Sequence, residues 1–293
     1  MGAPETELQK FLEDKIKKYE GVLVPVKASR MERMLVKKVA PDKLHPNPDD
    51  EFCFPSIGPN YSIIHKYVRK FERFGTMTPT MDDEPLMVQK VHPDGYMILN
   101  GHHRWAAAMR VGFKTVPVQI VNLPQETDIK KMLAASVHDK RVTLDLDETV
   151  FCRSTDDVSE APLSFPFNRM YKERIRLGLP SLLHYFGKQG YDVWVYSANY
   201  YSLDYIRSYF EHYSVKVDGI ITGTSKKTGG TKRKTHNQIE NKYKETIHID
   251  RDLVLRFVKS QPGFEEYAVD PDSPSWARDV VRLIKGFTKD DTD

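Results

Sequence analysis

The stretch Val142-Thr-Leu-Asp-Leu-Asp-Glu-Thr-Val150 constrains this chain more than any other. Val142 and Leu144 read as a buried strand, and the carboxylates of Asp145 and Asp147 fall where that strand ends. In an open parallel sheet, ligands bind beyond the carboxyl ends of the strands. Two carboxylates at that place, one residue apart, suit a bound Mg²⁺ and a phosphoryl group. A strand followed by an acidic turn accounts for the same residues equally well, because a fold-like pattern does not establish a function.

The residues that follow repeat the arrangement. LGLPSLLHYFGKQG reads as a helix closed by Gly, and Tyr191-Asp-Val-Trp-Val-Tyr-Ser-Ala-Asn199 as an apolar strand ending in Ser197. SLDYIRSYFEHY is the next helix, VDGIITG the next strand, and Glu245-Thr-Ile-His-Ile-Asp250 a further strand with acid at its end. YAVDP is expected as a fifth strand and SPSWARDVVRLIKGF as a closing helix. This βαβαβ pattern predicts a doubly wound parallel sheet. Ser197 at a strand end is either a ligand donor or a hydroxyl that only satisfies a turn. The run KKTGGTKRK at 226–234 has a solvated loop as its plain reading.

An apolar strand ending in Asp-Leu-Asp-Glu-Thr resembles the first motif of the haloacid dehalogenase (HAD) superfamily, in wording nearest its carboxy-terminal-domain-type protein phosphatases. The resemblance implies Asp145 as the nucleophile that becomes an aspartyl-phosphate and Asp147 as general acid/base. Ser197 matches the second motif, whose hydroxyl binds the transferring phosphoryl group. Lys234, opening THNQIENKYK, is best placed for the family's lysine, with Lys232 and Lys227 as alternatives. Asp250 matches the last motif, so that Asp145, Asp250 and the Asp147 carbonyl would hold Mg²⁺. Asp252 follows where relatives more often show adjacent acids. The stretch between the first two motifs leaves no room for a large cap domain. The implied site is therefore open to a large substrate, such as a phosphoprotein or nucleic-acid end, or is covered by the first domain.

The first half reads differently. Residues 5–19 have helical spacing; VLVPVKAS and MLVKKVAP look like short strands; LHPNPDDEFCFPSIGPNY is a long polar loop. SIIHKYVRKFERFG reads as a helix closed by Gly75, LMVQKVHPDGYMILNG as a hairpin, and VPVQIVNL as another strand. Between hairpin and strand, Gly101-His102-His103-Arg104 opens a helix. A glycine there permits close backbone approach, the helix start offers free N–H groups, and His103 and Arg104 add donors, which together make a phosphate cradle. Histidines that merely cap a turn explain the motif as readily.

The order of polar loop, helix, Asp-Gly hairpin and NGHHRWAAAMRVGFKTVPVQIV resembles the ParB/sulfiredoxin superfamily over about residues 20–125. Members bind nucleotide phosphates with a GxxR loop, which Gly101 and Arg104 match. The resemblance implies ATP, ADP or CTP as ligand. Sulfiredoxin's loop cysteine is absent, and no helix-turn-helix domain follows as in partition proteins, so sulfinic-acid repair and DNA segregation are both disfavoured. The Gly-His-His-Arg form is nearer the free-serine kinases, with Glu51 of Pro-Asp-Asp-Glu as counterpart of their catalytic Glu.

The expected organisation is an N-terminal helix (1–20), an α+β ParB/sulfiredoxin-like nucleotide-binding domain (21–125), a linker (126–140) that itself reads as containing a short helix, and a Rossmannoid HAD-like domain without a large cap (141–293). The chain has 293 residues, 40% hydrophobic and 29% charged, enough for two ordinary domains. Net charge is only +3, so no global attraction to nucleic acid or membrane follows. Nucleic acid stays open as a partner through the 226–234 run but is not favoured; a phosphorylated substrate and a nucleotide are. The two cysteines, Cys53 and Cys152, have neither disulfide-scaffold nor zinc spacing. The start lacks a signal-peptide core and is a weak match to a myristoylation site, and no run approaches a membrane span, so the chain reads as cytoplasmic.

Overall fold

The chain divides into two units, Met1–Asn122 and Leu123–Asp293. The computed structural model describes residues 6–19, 21–77, 84–152, 158–223, 238–250, 253–259, 264–270 and 273–290.

In the first unit the elements run α1 (Glu7–Tyr19), β1 (Val24–Pro25), α2 (Arg30–Met34), β2 (Lys37–Val39), β3 (Leu44–His45), α3 (Tyr61–Phe74), β4 (Leu86–His92), β5 (Tyr96–Asn100), α4 (His102–Val111) and β6 (Val116–Ile120). The sheet order is β2-β6-β4-β5-β3, with β1 paired to β4. The expected hairpin is present as antiparallel β4 and β5, while β6 lies parallel to β4 and β3 parallel to β5. Gly75 ends α3 in the left-handed region, at φ 64°. The two early strands are shorter than the sequence suggests. Ser29 and Glu32 form a reciprocal capping box that starts α2 between them. Trp105, Phe52, Phe71, Ile64, Leu86 and Ile98 fill the core. The Trp105 indole donates to the Pro41 carbonyl at 2.9 Å, which satisfies its buried N–H.

The second unit runs α5 (Glu126–Ala135), β7 (Lys140–Asp145), α6 (Phe167–Met170), α7 (Leu179–Lys188), β8 (Tyr191–Tyr196), α8 (Leu203–His212), β9 (Gly219–Ile221), a helical turn α9 at 238–242, β10 (Glu245–Ile249), β11 (Val254–Lys259), β12 (Phe264–Ala268) and α10 (Trp276–Asp290). The sheet order is β12-β11-β10-β7-β8-β9. Strands β10, β7, β8 and β9 are parallel, but β11 and β12 are antiparallel additions at one edge. The sheet is therefore mixed rather than wholly parallel. The reason is chain length: only residues 250–253 separate β10 from β11, and a parallel crossover needs about a dozen residues or more. The fifth strand expected at YAVDP starts earlier, at Phe264.

Side-chain alternation gives this sheet two unlike faces. Val142, Leu144, Val193, Val195, Ile247 and Ile249 enter the main core. The opposite face carries Arg141, Thr143, Asp192, Trp194, Thr246 and His248. Its polar groups pair with one another: Arg141 Nε donates to Thr246 Oγ1 at 2.9 Å, and Thr143 Oγ1 lies 2.7 Å from His248 Nδ1. Ile129 and Met132 of α5 pack on this face with Trp194, Ile239 and Tyr243. The short helix expected between the domains is thus present as α5, and it shields a sheet face of the second unit. Among the described residues, no helix is long and apolar enough to cross a membrane.

Candidate functional site

At the end of β7 the backbone enters a wide turn, closed by the Phe151 N–H donating to the Leu146 carbonyl at 2.9 Å. Such five-residue loops of hydrogen bonding recur at functional sites. Within the turn, the Asp147 N–H donates to Asp145 Oδ1 at 2.8 Å. Thr149, fully buried, donates to the Asp250 carbonyl at 2.9 Å and so ties the turn to the end of β10. Register places the acids. Leu144 pairs with Ile249, so Asp145 and Asp250 occupy the next rung of adjacent parallel strands, which run about 4.8 Å apart. Asp145 pairs with Tyr196 on its other side, so Ser197 follows one step beyond.

Among the described residues, donor groups from Ser197, Ala198 and Asn199 converge on the Asp147 carboxylate. Ser197 Oγ lies 2.9 and 2.8 Å from its two oxygens and shares one hydroxyl hydrogen between them. The N–H groups of Ala198 and Asn199 donate at 2.9 and 3.3 Å, and Asn199 Nδ2 donates at 2.9 Å. The cradle is braced from behind: the Ser197 N–H donates to the Ile221 carbonyl and the Gly223 N–H to the Asn199 carbonyl. Donors fixed in this way are suited to any compact oxyanion, a phosphoryl group as well as a carboxylate.

Asp250 is held by other groups. Its Oδ1 accepts from the Val254 N–H at 3.1 Å, and its Oδ2 lies 3.2 Å from Arg256 Nη2. Arg256 in turn pairs with Glu266 at 2.9 Å. Leu253, buried and at φ 51°, makes the tight turn between them. Sequence reading missed Arg256; its signal lies in the alternation of Val254-Leu-Arg-Phe-Val, which sets Arg256 opposite His248.

Carboxylates of the kind Asp145 and Asp250 carry are the hard oxygen donors Mg²⁺ takes, an ion that commonly uses one or two carboxylates with waters completing its octahedron. By the sequence resemblance, Asp145, Asp250 and the Asp147 carbonyl would hold it. Among the described residues, no group of three or more His, Cys, Asp and Glu side chains is placed to hold a metal ion. Lys227, Lys232, Lys234 and Asp252 lie outside the described residues, as does the whole 226–234 run.

In the first unit, Gly101 leads from β5 into α4 at φ 101°. A Cβ there would strike the Leu86 side chain and lie 3.0 Å from Arg104 Nη2, so glycine is needed for space as well as conformation. Arg104 folds back over this glycine and donates to the Glu84 carbonyl. The histidines turn toward the long polar loop. His102 is buried, and its Nε2 accepts from the Asn47 N–H at 3.2 Å while its Nδ1 lies 3.5 Å from Asp50. Nε2 of His103 accepts from the Asn60 N–H at 3.1 Å. Phe52 stacks on His102 and meets His103 edge-on. Burial pushes the His102 imidazole down to about 4 and lowers His103 as well. Both rings therefore serve as neutral acceptors near pH 7, bracing the loop that carries Asp50 and Glu51. At the helix start itself, backbone N–H groups and Arg104 are the groups left to meet an anion.

Residues 75–137 match the ParB N-terminal domain family, a span that takes in the β4–β5 hairpin, Gly101–Arg104, β6 and α5. No curated protein matches the chain. Among solved structures, a C-terminally truncated chromosome-partitioning protein ParB from Caulobacter crescentus complexed with CTP-γ-S is 23% identical, covering 36% of this chain and 56% of that one, with a TM-score of 0.25. The same protein complexed to the centromeric parS site is 24% identical over 35% of this chain and 50% of that one, with a TM-score of 0.22. This chain thus spans about half the length of those two. A conserved hypothetical protein from Pyrococcus furiosus is 13% identical over 84% of this chain and 98% of that one, with a TM-score of 0.25. What the comparisons give is a ParB-like segment at 75–137, inside which the glycine–arginine loop lies.

Proposed function

We propose that the second unit is a Mg²⁺-dependent phosphohydrolase of HAD type, joined to a ParB-like unit that binds a nucleotide. The observation that carries the reading is the meeting of Asp145, Asp147, Ser197 and Asp250 at the carboxyl ends of three adjacent parallel strands. The sequence resemblance gives each a role. Asp145 attacks phosphorus in line, forming an aspartyl-phosphate as the leaving oxygen departs. Asp147 donates a proton to that oxygen and then takes one from the water that cleaves the intermediate. Ser197, Ala198 N–H and Asn199 hold the equatorial oxygens once Asp147 gives up their donors to the incoming phosphoryl group. Bound Mg²⁺ supplies charge neutralisation to the phosphoryl oxygens.

For the first unit, the support is a glycine-permitted helix start with Arg104 beside it, within the ParB-like segment. ATP, ADP and CTP are the ligands to test. A second reading, an ATP- or ADP-dependent kinase of a free amino acid with Glu51 as base, is favoured by one observation: His102 and His103 brace the Glu51-bearing loop against the start of α4.

The test is a phosphate-release screen over phosphopeptides, phosphorylated metabolites and 3′- or 5′-phosphorylated oligonucleotides, with and without nucleotides. Release from at least one class, lost in EDTA and restored by Mg²⁺, is expected. Release that persists in excess EDTA would contradict the metal-assisted reaction. Phosphoserine made from free serine and ATP or ADP would establish the second reading.

A further inference from the structure

Resting on the reading of Asp145 and Asp250 as metal ligands, we infer that Arg256 is an exchangeable counter-ion for Asp250, one that competes with the metal for this carboxylate. Asp250 ends β10, and Arg256 stands on the antiparallel neighbour β11 with Nη2 3.2 Å from Asp250 Oδ2. Through Nε, Arg256 also pairs with Glu266 of β12 at 2.9 Å. The guanidinium thus bridges two carboxylates by different nitrogens, one on each side. A planar five-donor fork allows it to leave one partner and keep the other. It is about half exposed, with side-chain exposure of 51%, so it has room to swing away. The Val254 N–H, which donates to Asp250 Oδ1 at 3.1 Å, helps orient the carboxylate and carries no net charge to neutralise it.

Charge dictates the sign. A cation and Mg²⁺ on one carboxylate repel each other, so Arg256 opposes metal binding and Glu266 relieves that opposition by drawing the guanidinium toward β12. A merely structural Arg256 gives the reverse: its loss would let Asp250 wander and weaken the metal.

The test is calorimetric titration of the full-length protein and variants with Mg²⁺, and with Mn²⁺ as a second probe, in the absence of substrate. Arg256→Gln should bind metal about two- to fivefold more tightly, the range a half-exposed ion pair carries. Glu266→Gln should bind it more weakly, because Arg256 then rests on Asp250 alone. Arg256→Lys keeps the charge and should stay near the parent. Thermal melts establish that each variant is folded. Weaker binding in Arg256→Gln, or the same sign of change in both neutral variants, overturns the proposal. If the parent and all variants fail to bind metal at millimolar concentration, the metal reading itself falls and the proposal with it; unchanged binding in every variant removes only the proposal.

Discussion

At the ends of β7, β8 and β10, polar side chains face one another across a register fixed by the sheet: Asp147 receives Ser197 and Asn199, and Thr149 reaches Asp250. At the start of α4 the polar side chains turn away. His102 and His103 accept from the loop at Asn47 and Asn60, and the groups left at the helix start are largely backbone N–H. A site made of side chains at strand ends depends on residue identity. One made of helix-start amides depends on backbone path, hence on Gly101. Substitutions should therefore act on chemistry in the second unit and on shape in the first.

The largest expected effect is Asp145→Asn. An amide forms no acyl-phosphate, so turnover of a general phosphomonoester should fall by about 10⁴-fold or more while the melting temperature stays near the parent. Parent-like turnover in a folded variant would break the comparison at its strongest point. Ser197→Ala comes next. It removes one donor from the cradle and should lower kcat by about 10²-fold with a smaller change in KM.

These side-chain expectations were legible in the sequence for a physical reason. An apolar β-branched run has one stable place in an α/β unit, and an acid or hydroxyl that ends it has one end to occupy. Asp145, Ser197 and Asp250 could be placed that way. Other features could not. The helix α5 is expected from the sequence but its docking is not: its buried apolar anchors Ile129 and Met132 meet Trp194 and Tyr243, which lie far along the chain. β11 depends on pairing with β10, which a linear pattern does not reveal, and Arg256 was missed with it. In the first unit, GHHR marks the helix start, but the direction of the two imidazoles is decided by the loop they brace. Burial beneath Phe52 and contact with Asn47 and Asn60 are tertiary facts with no local signal.

Arg104→Ala sharpens the contrast. It removes a cationic side chain beside the helix start, and nucleotide affinity of the full chain should fall by about ten- to a hundredfold, the loss of a charge-assisted hydrogen bond. Phosphate release centred on Asp145 should persist. Calorimetry with ADP, ATP and CTP reads the first effect, and a phosphate assay the second.

Acid should separate the units as well. The His102 imidazole titrates near 4 when folded and near 6.5 when free, so the unfolded chain binds more protons between those values. Stability of the first unit is then full above about pH 6.5 and falls as pH drops toward 4, by on the order of 3 kcal/mol for this group. Hydrogen exchange of α4 and the 46–60 loop, followed from pH 7 to 4, measures it. His102→Gln should flatten that dependence. A smaller effect is expected for Gly101→Ala: a Cβ against Leu86 at φ 101° should cost about 1–3 kcal/mol and weaken nucleotide binding, leaving phosphate release intact.

The central claim is that Asp145 carries the phosphoryl group. Asp147→Asn with p-nitrophenyl phosphate tests it most directly, because this leaving group departs without a proton whereas hydrolysis of the intermediate still needs Asp147. Rapid acid quench in Mg²⁺, followed by peptide mass spectrometry, should find a phosphoryl group on Asp145 at close to one per chain, and none when Asp145→Asn is added. Nitrophenol release with no phosphoryl label on Asp145, or with the label on another residue, would contradict the account.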